Sequence, residues 1–215
     1  MKIYAHRGFS HKYPEASRLA YEKAIEVGST GLECDVRLTR DGIAICFHDR
    51  TTERLANRNM VVSKSSFAEL NELVSPLRLD ELIDIAERNG VNLLIETKHP
   101  VRTSSKVEKV VLKRVLQHKG NSRITLMSFS LVATLRMKQK YPDVGYVISH
   151  LWRALYIPTK LVAVDIELLK RSKYVRNRLR GKEIFVWTVN NPAELAQLKG
   201  CEISAVITDR PNLDF

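Results

Sequence analysis

The sequence predicts an α/β fold, a (β/α)8 TIM barrel with a β-hairpin extension and a small excursion after the second strand. Three observations carry that prediction. Nine short β-rich runs recur along the chain, helix-like segments separate most of them, and one pair of runs lies too close together for a helix to fit between. Alternating strand and helix is the pattern of βαβ units on a parallel sheet. Taking the close pair as one strand and its antiparallel return leaves eight parallel positions, as the closed barrel requires. An open doubly wound sheet gives no reason for eight, and no GxGxxG turn follows any run.

The elements follow in order. KIYAHR at 2–7 is the first strand, and a helix is expected over 16–27. GLECDVRLT at 31–39 and IAICFHD at 43–49 are separated only by Arg40–Gly42, too short for a parallel crossover and right for a hairpin. Residues 50–79 break the rhythm as an excursion above the barrel, helical from about 66 to 74. Strands are then expected at 92–98, 123–129, 144–149, 161–167, 183–189 and 205–209, with helices at 80–89, 105–119, 131–140, 168–180 and 192–199.

At 215 residues the chain is read as one domain, 1–215. Hydrophobic content of 44% beside 27% charged residues is ordinary for a globular protein, and no apolar run of membrane-spanning length occurs. The N-terminus has no signal-peptide pattern, so a cytoplasmic protein is expected. Cys34, Cys46 and Cys201 have neither metal-site spacing nor an even disulfide framework and are read as buried free thiols.

A net charge of +11 favours anionic partners. The densest basic run, 169–182, with Leu168, Ser172, Val175 and Leu179 at helical spacing, is read as an amphipathic helix over 168–180 with a solvated cationic face. That face is the expected place for any peripheral contact with an anionic membrane. No RNA-binding signature or aromatic-studded basic strand is present, so no specific nucleic-acid partner is expected.

In a barrel the chemistry sits at the C-terminal strand ends. There the chain places His6 and Arg7, then Glu33 and Asp35, His48 and Asp49, Glu96 and Lys98, Trp187, and Thr208 and Asp209. Side chains two apart on a strand share a face, so Glu33, Asp35 and Glu96 aim three carboxylates at one place. They would repel unless a cation sat among them, and oxygen donors suit a hard divalent ion, Mg²⁺ or Ca²⁺. The hairpin register sets His48 opposite Cys34 and so beside the carboxylates, where His6 arrives from the neighbouring strand. Two histidines, a metal site and the cationic donors Arg7 and Lys98 are the parts needed for phosphodiester cleavage.

The chain resembles the glycerophosphodiester phosphodiesterases almost from end to end. The matching segments are AHRG at 5–8, PEAS at 14–17, LECDVRLTRDG at 32–42, FHD at 47–49, IETK at 95–98, SF at 128–129, VWTVN at 186–190 and ITDRP at 207–211. The resemblance implies metal-assisted hydrolysis of small glycerophosphodiesters to sn-glycerol 3-phosphate and an alcohol. It implies Glu33, Asp35 and Glu96 as metal ligands, His6 and His48 as the acid and base, Arg7 and Lys98 as phosphate contacts, and Glu15 near the metal. Trp187 is read as a pocket wall or a core residue. One departure stands out: Ala16 takes the place of the asparagine usual in the family, and His11 in the same loop has two readings, a local substitute or, the favoured one, a solvent-exposed loop histidine. Two rival readings are a lysophospholipase D-like enzyme acting at membranes and an anion-binding barrel that has lost activity.

Overall fold

Runs of β-branched and aliphatic residues form β1 (Lys2–His6), β2 (Gly31–Leu38), β3 (Ala44–Cys46), β4 (Asn92–Thr97), β5 (Ile124–Ser128), β6 (Val144–Ile148), β7 (Leu161–Asp165), β8 (Glu183–Trp187) and β9 (Ile203–Thr208). The structure is a computed structural model that describes residues 1–99, 105–198 and 201–214. All strands but β3 run parallel to their neighbours, and β1 pairs with both β2 and β9, which closes an eight-stranded barrel. Its interior is filled by Tyr4, Leu94, Met127, Val147, Leu161, Phe185 and Ile207, so the barrel is a packed core and not a pore.

One edge of β2 positions the site. Its first half, Gly31–Glu33, pairs with Tyr4–His6 of β1, and its second half, Val36–Leu38, pairs with the antiparallel β3. Phe47 N–H donates to the Asp35 carbonyl at 2.8 Å, and the same register one residue on sets His48 opposite Cys34. His6 and His48 therefore reach the same edge of β2 from two different neighbours. The sequence extends the return strand to 49, whereas β3 ends at Cys46 and leaves His48 on a loop.

The helices are α1 (Arg18–Glu26), α2 (Glu53–Ala56), α3 (Phe67–Val74), α4 (Leu79–Arg88), α5 (Lys106–Gln117), α6 (Leu131–Lys138), α7 (Ile166–Arg171), α8 (Lys173–Arg178) and α9 (Ala193–Ala196). Serine side chains start several of them: Ser17 accepts from Ala20 N, Ser130 from Ala133 N, and Ser66 forms a capping box with Glu69. Each such cap stabilises by about 1 kcal/mol. The 50–79 excursion packs on β3 through Ile45, Phe47, Val62 and Leu70.

Further expectations are corrected. The single helix over 168–180 is two, because Ser172 is extended and its hydroxyl caps the second by accepting from Val175 N. Within it the guanidinium of Arg176 donates to the carbonyls of Leu169 and Lys170, and that of Arg178 to Ala154 and Leu155, so part of the cationic face serves as internal capping. The strand read over 161–167 stops at Asp165, whose carboxylate accepts from Leu168 N to start α7, so Glu167 lies on the helix. Cys34 and Cys46 are buried free thiols, but Cys201 is half-buried. Helix α9 covers only part of the expected 192–199, of which residue 199 lies outside the described residues. Among the described residues no helix is long and apolar enough to cross a membrane.

Candidate active site

The chain leaves β1 through a sharp turn in which Arg7 has φ 56° and Gly8 φ 81°. Gly8 is required there: a Cβ would come within 2.6 Å of the Ala20 backbone on α1. Arg7 takes a left-handed conformation that costs a non-glycine residue about 1–2 kcal/mol. In return its N–H reaches both the carbonyl and the carboxylate of Glu33, at 3.1 and 3.2 Å, and its guanidinium is turned into the barrel mouth.

A cavity of about 160 Å³ opens at the C-terminal end of the barrel. His6, Arg7, Glu33, Asp35, His48, Glu96, Lys98 and Trp187 all line it. On one side the wall is polar and comes from β1, β2 and β4; on the other it is apolar, made of Met127, Phe129, Val147 and Trp187. Phe129 and Trp187 pack edge to face with centroids 5.5 Å apart, and Trp187 Nε1–H is buried without a partner among the described residues. Glu15 sits at the rim and not in the cavity, joined to Arg7 Nη1 at 3.4 Å. His11 is exposed and lies outside the cavity.

Each histidine is backed by its own carboxylate. His6 Nδ1 is 2.7 Å from Asp209 Oδ1, and His48 Nδ1 is 2.7 Å from Asp49 Oδ1. Donating from Nδ1 fixes the tautomer and leaves Nε2 of each ring for chemistry. Burial would push Asp209 up, but hydrogen bonds from His6, Asn190 and Ser10 outweigh it and hold the carboxylate below its ordinary range. Burial, joined by the charges of Lys98 and Arg7, holds His48 below its ordinary value against the pull of Asp35.

Carboxylate oxygens of Glu33, Asp35 and Glu96 all lie within 4.8 Å of one another. Arg7 Nε stands 2.9 Å from Asp35 Oδ2, and Lys98 Nζ lies 3.1 Å from Asp35 Oδ1 and 2.8 Å from Glu96. Burial raises Asp35, but Lys98 and Arg7 together bring it down to about 2. For the other two, burial first and the Asp35 charge second win: Glu33 is pushed well above its ordinary value and Glu96 up to about 7. The two protein cations thus neutralise Asp35 and leave Glu33 and Glu96 wanting positive charge. Asp35 Oδ2 also has no directed hydrogen bond, its close approach to Arg7 notwithstanding. An all-oxygen donor set with this deficit fits a hard divalent cation.

Sequence reasoning missed Arg54. This residue of α2 donates to both oxygens of Glu15, at 2.6 and 2.8 Å, and through Nε to Asp49 at 2.5 Å. It joins the Arg7–Glu15 pair to the Asp49–His48 pair across the rim. One arginine among 35 Lys and Arg, in an irregular segment, carries no spacing signal that would have singled it out.

A closed parallel barrel whose C-terminal mouth unites two carboxylate-backed histidines, a carboxylate trio and two cations is an enzyme of the phosphate-ester-cleaving class. The family model for the glycerophosphoryl diester phosphodiesterase family matches residues 6–213. The chain is 30% identical to a Mycobacterium tuberculosis protein named "Probable glycerophosphodiester phosphodiesterase 1", over 97% of this chain and 89% of the relative. It superposes on the crystal structure of glycerophosphodiester phosphodiesterase from Thermotoga maritima with TM-score 0.82 at 27% identity, covering 98% of this chain and 95% of that one. A phosphodiesterase of Oleispira antarctica shares the fold, with TM-score 0.86 at 22% identity over 99% and 94% of the two chains. The chain belongs to the glycerophosphoryl diester phosphodiesterase family, a family of phosphoric diester hydrolases.

Proposed function

We propose that the protein hydrolyses small glycerophosphodiesters to sn-glycerol 3-phosphate and an alcohol, with His6 and His48 as the acid and base pair. The observation that carries this reading is the symmetry of the two histidines, each tied by Nδ1 to a carboxylate 2.7 Å away and both lining one cavity. Arg7 and Lys98 are the donors for the phosphate oxygens. Glu33, Asp35 and Glu96 would hold a divalent ion, Mg²⁺ or Ca²⁺, which when bound supplies charge stabilisation for the phosphoryl oxygens. The Oleispira antarctica phosphodiesterase was solved with the product sn-glycerol 3-phosphate, which agrees with this substrate class.

The glycerol hydroxyl next to the phosphate is the nucleophile in this reading. One histidine takes its proton as the new P–O bond forms, and the other protonates the departing alcohol oxygen as the old P–O bond breaks. Water then opens the cyclic phosphate with the roles exchanged. His48, which burial holds below its ordinary value, suits the first proton transfer. A second reading, cleavage of lysophospholipids, is favoured by the apolar wall of Met127, Phe129, Val147 and Trp187.

The test is release of glycerol 3-phosphate from glycerophosphocholine and glycerophosphoethanolamine, and of choline from lysophosphatidylcholine, with Mg²⁺, Ca²⁺ or chelator, for the wild type and His48→Ala. Ion-dependent turnover that His48→Ala lowers by about 10²–10⁴-fold is the expected result. Turnover that survives chelation, or a fully active His48→Ala, would sink it. A glycerophosphodiester lacking the neighbouring hydroxyl, cleaved as fast as the parent, would remove the cyclic step.

A further inference from the structure

We propose that the Leu151–Tyr156 segment is a docking surface for an anionic lipid bilayer, beside the mouth of the barrel. The connection from β6 to β7 holds no α-helix, only the 3-10 turn Leu151–Leu155. So short a turn buries Ala154 and leaves its larger neighbours outside. Leu151, Trp152, Leu155 and Tyr156 are 51%, 61%, 64% and 57% exposed, with Tyr174 of α8 at 46%. Four large apolar side chains within six residues form a patch, unlike the scattered exposed leucines Leu19 and Leu55.

The patch is held at the cavity mouth by Arg153. Its guanidinium donates to the Phe129 carbonyl and lies 4.5 Å from the Trp152 ring and 5.8 Å from the Phe129 ring. Phe129 is itself part of the apolar wall of the cavity. A surface engaged by Trp152 would therefore stand one guanidinium layer away from the site.

Charge selects the occupant. From Gly145 to Lys182 the chain carries nine Lys or Arg and only two Asp or Glu. Of the two acids, Asp165 caps α7 and Glu167 is engaged by Lys170 and Arg171. A second copy of so cationic a face would be repelled. A nucleic acid would gain from aromatic stacking and phosphate contacts but nothing from Leu151 and Leu155. Exposed leucines beside Trp and Tyr, with Arg153 and Arg178 against the segment and the exposed Arg171 and Lys173 on α7 and α8, match the two layers of an anionic bilayer: acyl boundary below, negative headgroups around.

The decisive measurement is co-sedimentation with vesicles of phosphatidylglycerol and phosphatidylcholine against phosphatidylcholine alone, for the wild type and Leu151→Ser/Trp152→Ser/Leu155→Ser. The wild type is expected to bind only the anionic vesicles, less so as salt rises, and the triple variant to partition at least about tenfold more weakly. Arg171→Glu/Lys173→Glu is expected to lose anionic binding while keeping its melting temperature. A wild type that stays in solution with anionic vesicles overturns the proposal, as does a triple variant that sediments equally well. Binding of a single-stranded oligonucleotide that the triple variant loses in equal measure overturns it too. Vesicle binding needs no catalysis, so a failure to hydrolyse glycerophosphocholine would count against the proposed reaction alone.

Discussion

The two ends of the barrel each hold a cluster in which carboxylates outnumber cations by one, yet only one end is strained. At the N-terminal end Arg123 binds Asp143 and Glu183 through four contacts of 2.6–3.0 Å, using all four carboxylate oxygens. Its members are 22–33% exposed, and hydrogen bonds from Arg123 hold Glu183 below its ordinary value despite partial burial. At the C-terminal end Glu33, Asp35 and Glu96 face Arg7 and Lys98 at 2–6% exposure, and two of the three carboxyls are pushed up. Equal charge imbalance therefore has opposite consequences. Water and the nearby charges of Lys2 and Lys160 meet the surplus negative charge at the bottom, while burial at the top leaves it uncompensated.

The largest effect that would break this contrast is catalytic. His6→Ala should lower turnover by about 10²–10⁴-fold and leave the melting temperature almost unchanged. Arg123→Ala should do the reverse, keeping kcat and costing about 1–2 kcal/mol of stability as two carboxylates lose their partner. A folded Arg123→Ala protein without activity would erase the distinction between the ends.

Arg54→Ala should lower kcat by about tenfold through misplacement of His48 and Arg7, with KM moving less. Arg54→Lys should recover little, because one ammonium cannot hold both oxygens of Glu15 and Asp49 together. Unchanged kcat in Arg54→Ala would make the rim bridge a spectator.

Glu96→Gln sharpens the contrast by pH. A carboxyl raised from 4.5 to about 7 binds its proton more tightly folded than unfolded, so its share of stability is full below pH 4.5 and lost as pH rises through 7. In metal-free buffer the wild-type melting temperature relative to Glu96→Gln should fall across that window, by the equivalent of about 1–3 kcal/mol. Mg²⁺ or Ca²⁺ should restore it for the wild type only, increasingly with pH, since the ligands must be deprotonated. A pH-independent difference between the two proteins would contradict the electrostatic account.

The smallest effect concerns Ala16, buried at φ 56° where asparagine is usual in the family, beside a cavity of about 210 Å³ between the 14–17 loop and the C-terminal end of α3. Asparagine tolerates the left-handed conformation better than alanine, and the space admits it. Ala16→Asn should stabilise by about 0.5–1 kcal/mol in denaturant melts. Destabilisation would show that the loop is adapted to alanine.

The spacing of Glu33 and Asp35 on one strand, and of Glu96 and Lys98 on another, declares shared faces, because side chains alternate along an extended chain. The three-residue gap at Arg40–Gly42 sets the hairpin register and with it His48. Eight strand positions, their order and these pairs were thus legible in the sequence, since each depends on periodicity or a short connection. Other features were decided only by the tertiary structure. Asp209 backs His6 across 203 positions of chain because closure of β9 onto β1 brings them together. Arg54 reaches Glu15 and Asp49 because the excursion folds over β3, and the basic segment breaks at Ser172 because a hydroxyl captures a backbone N–H. Local geometry repeats with the chain and can be read from it; contacts between distant segments depend on how the barrel closes, which no local pattern encodes.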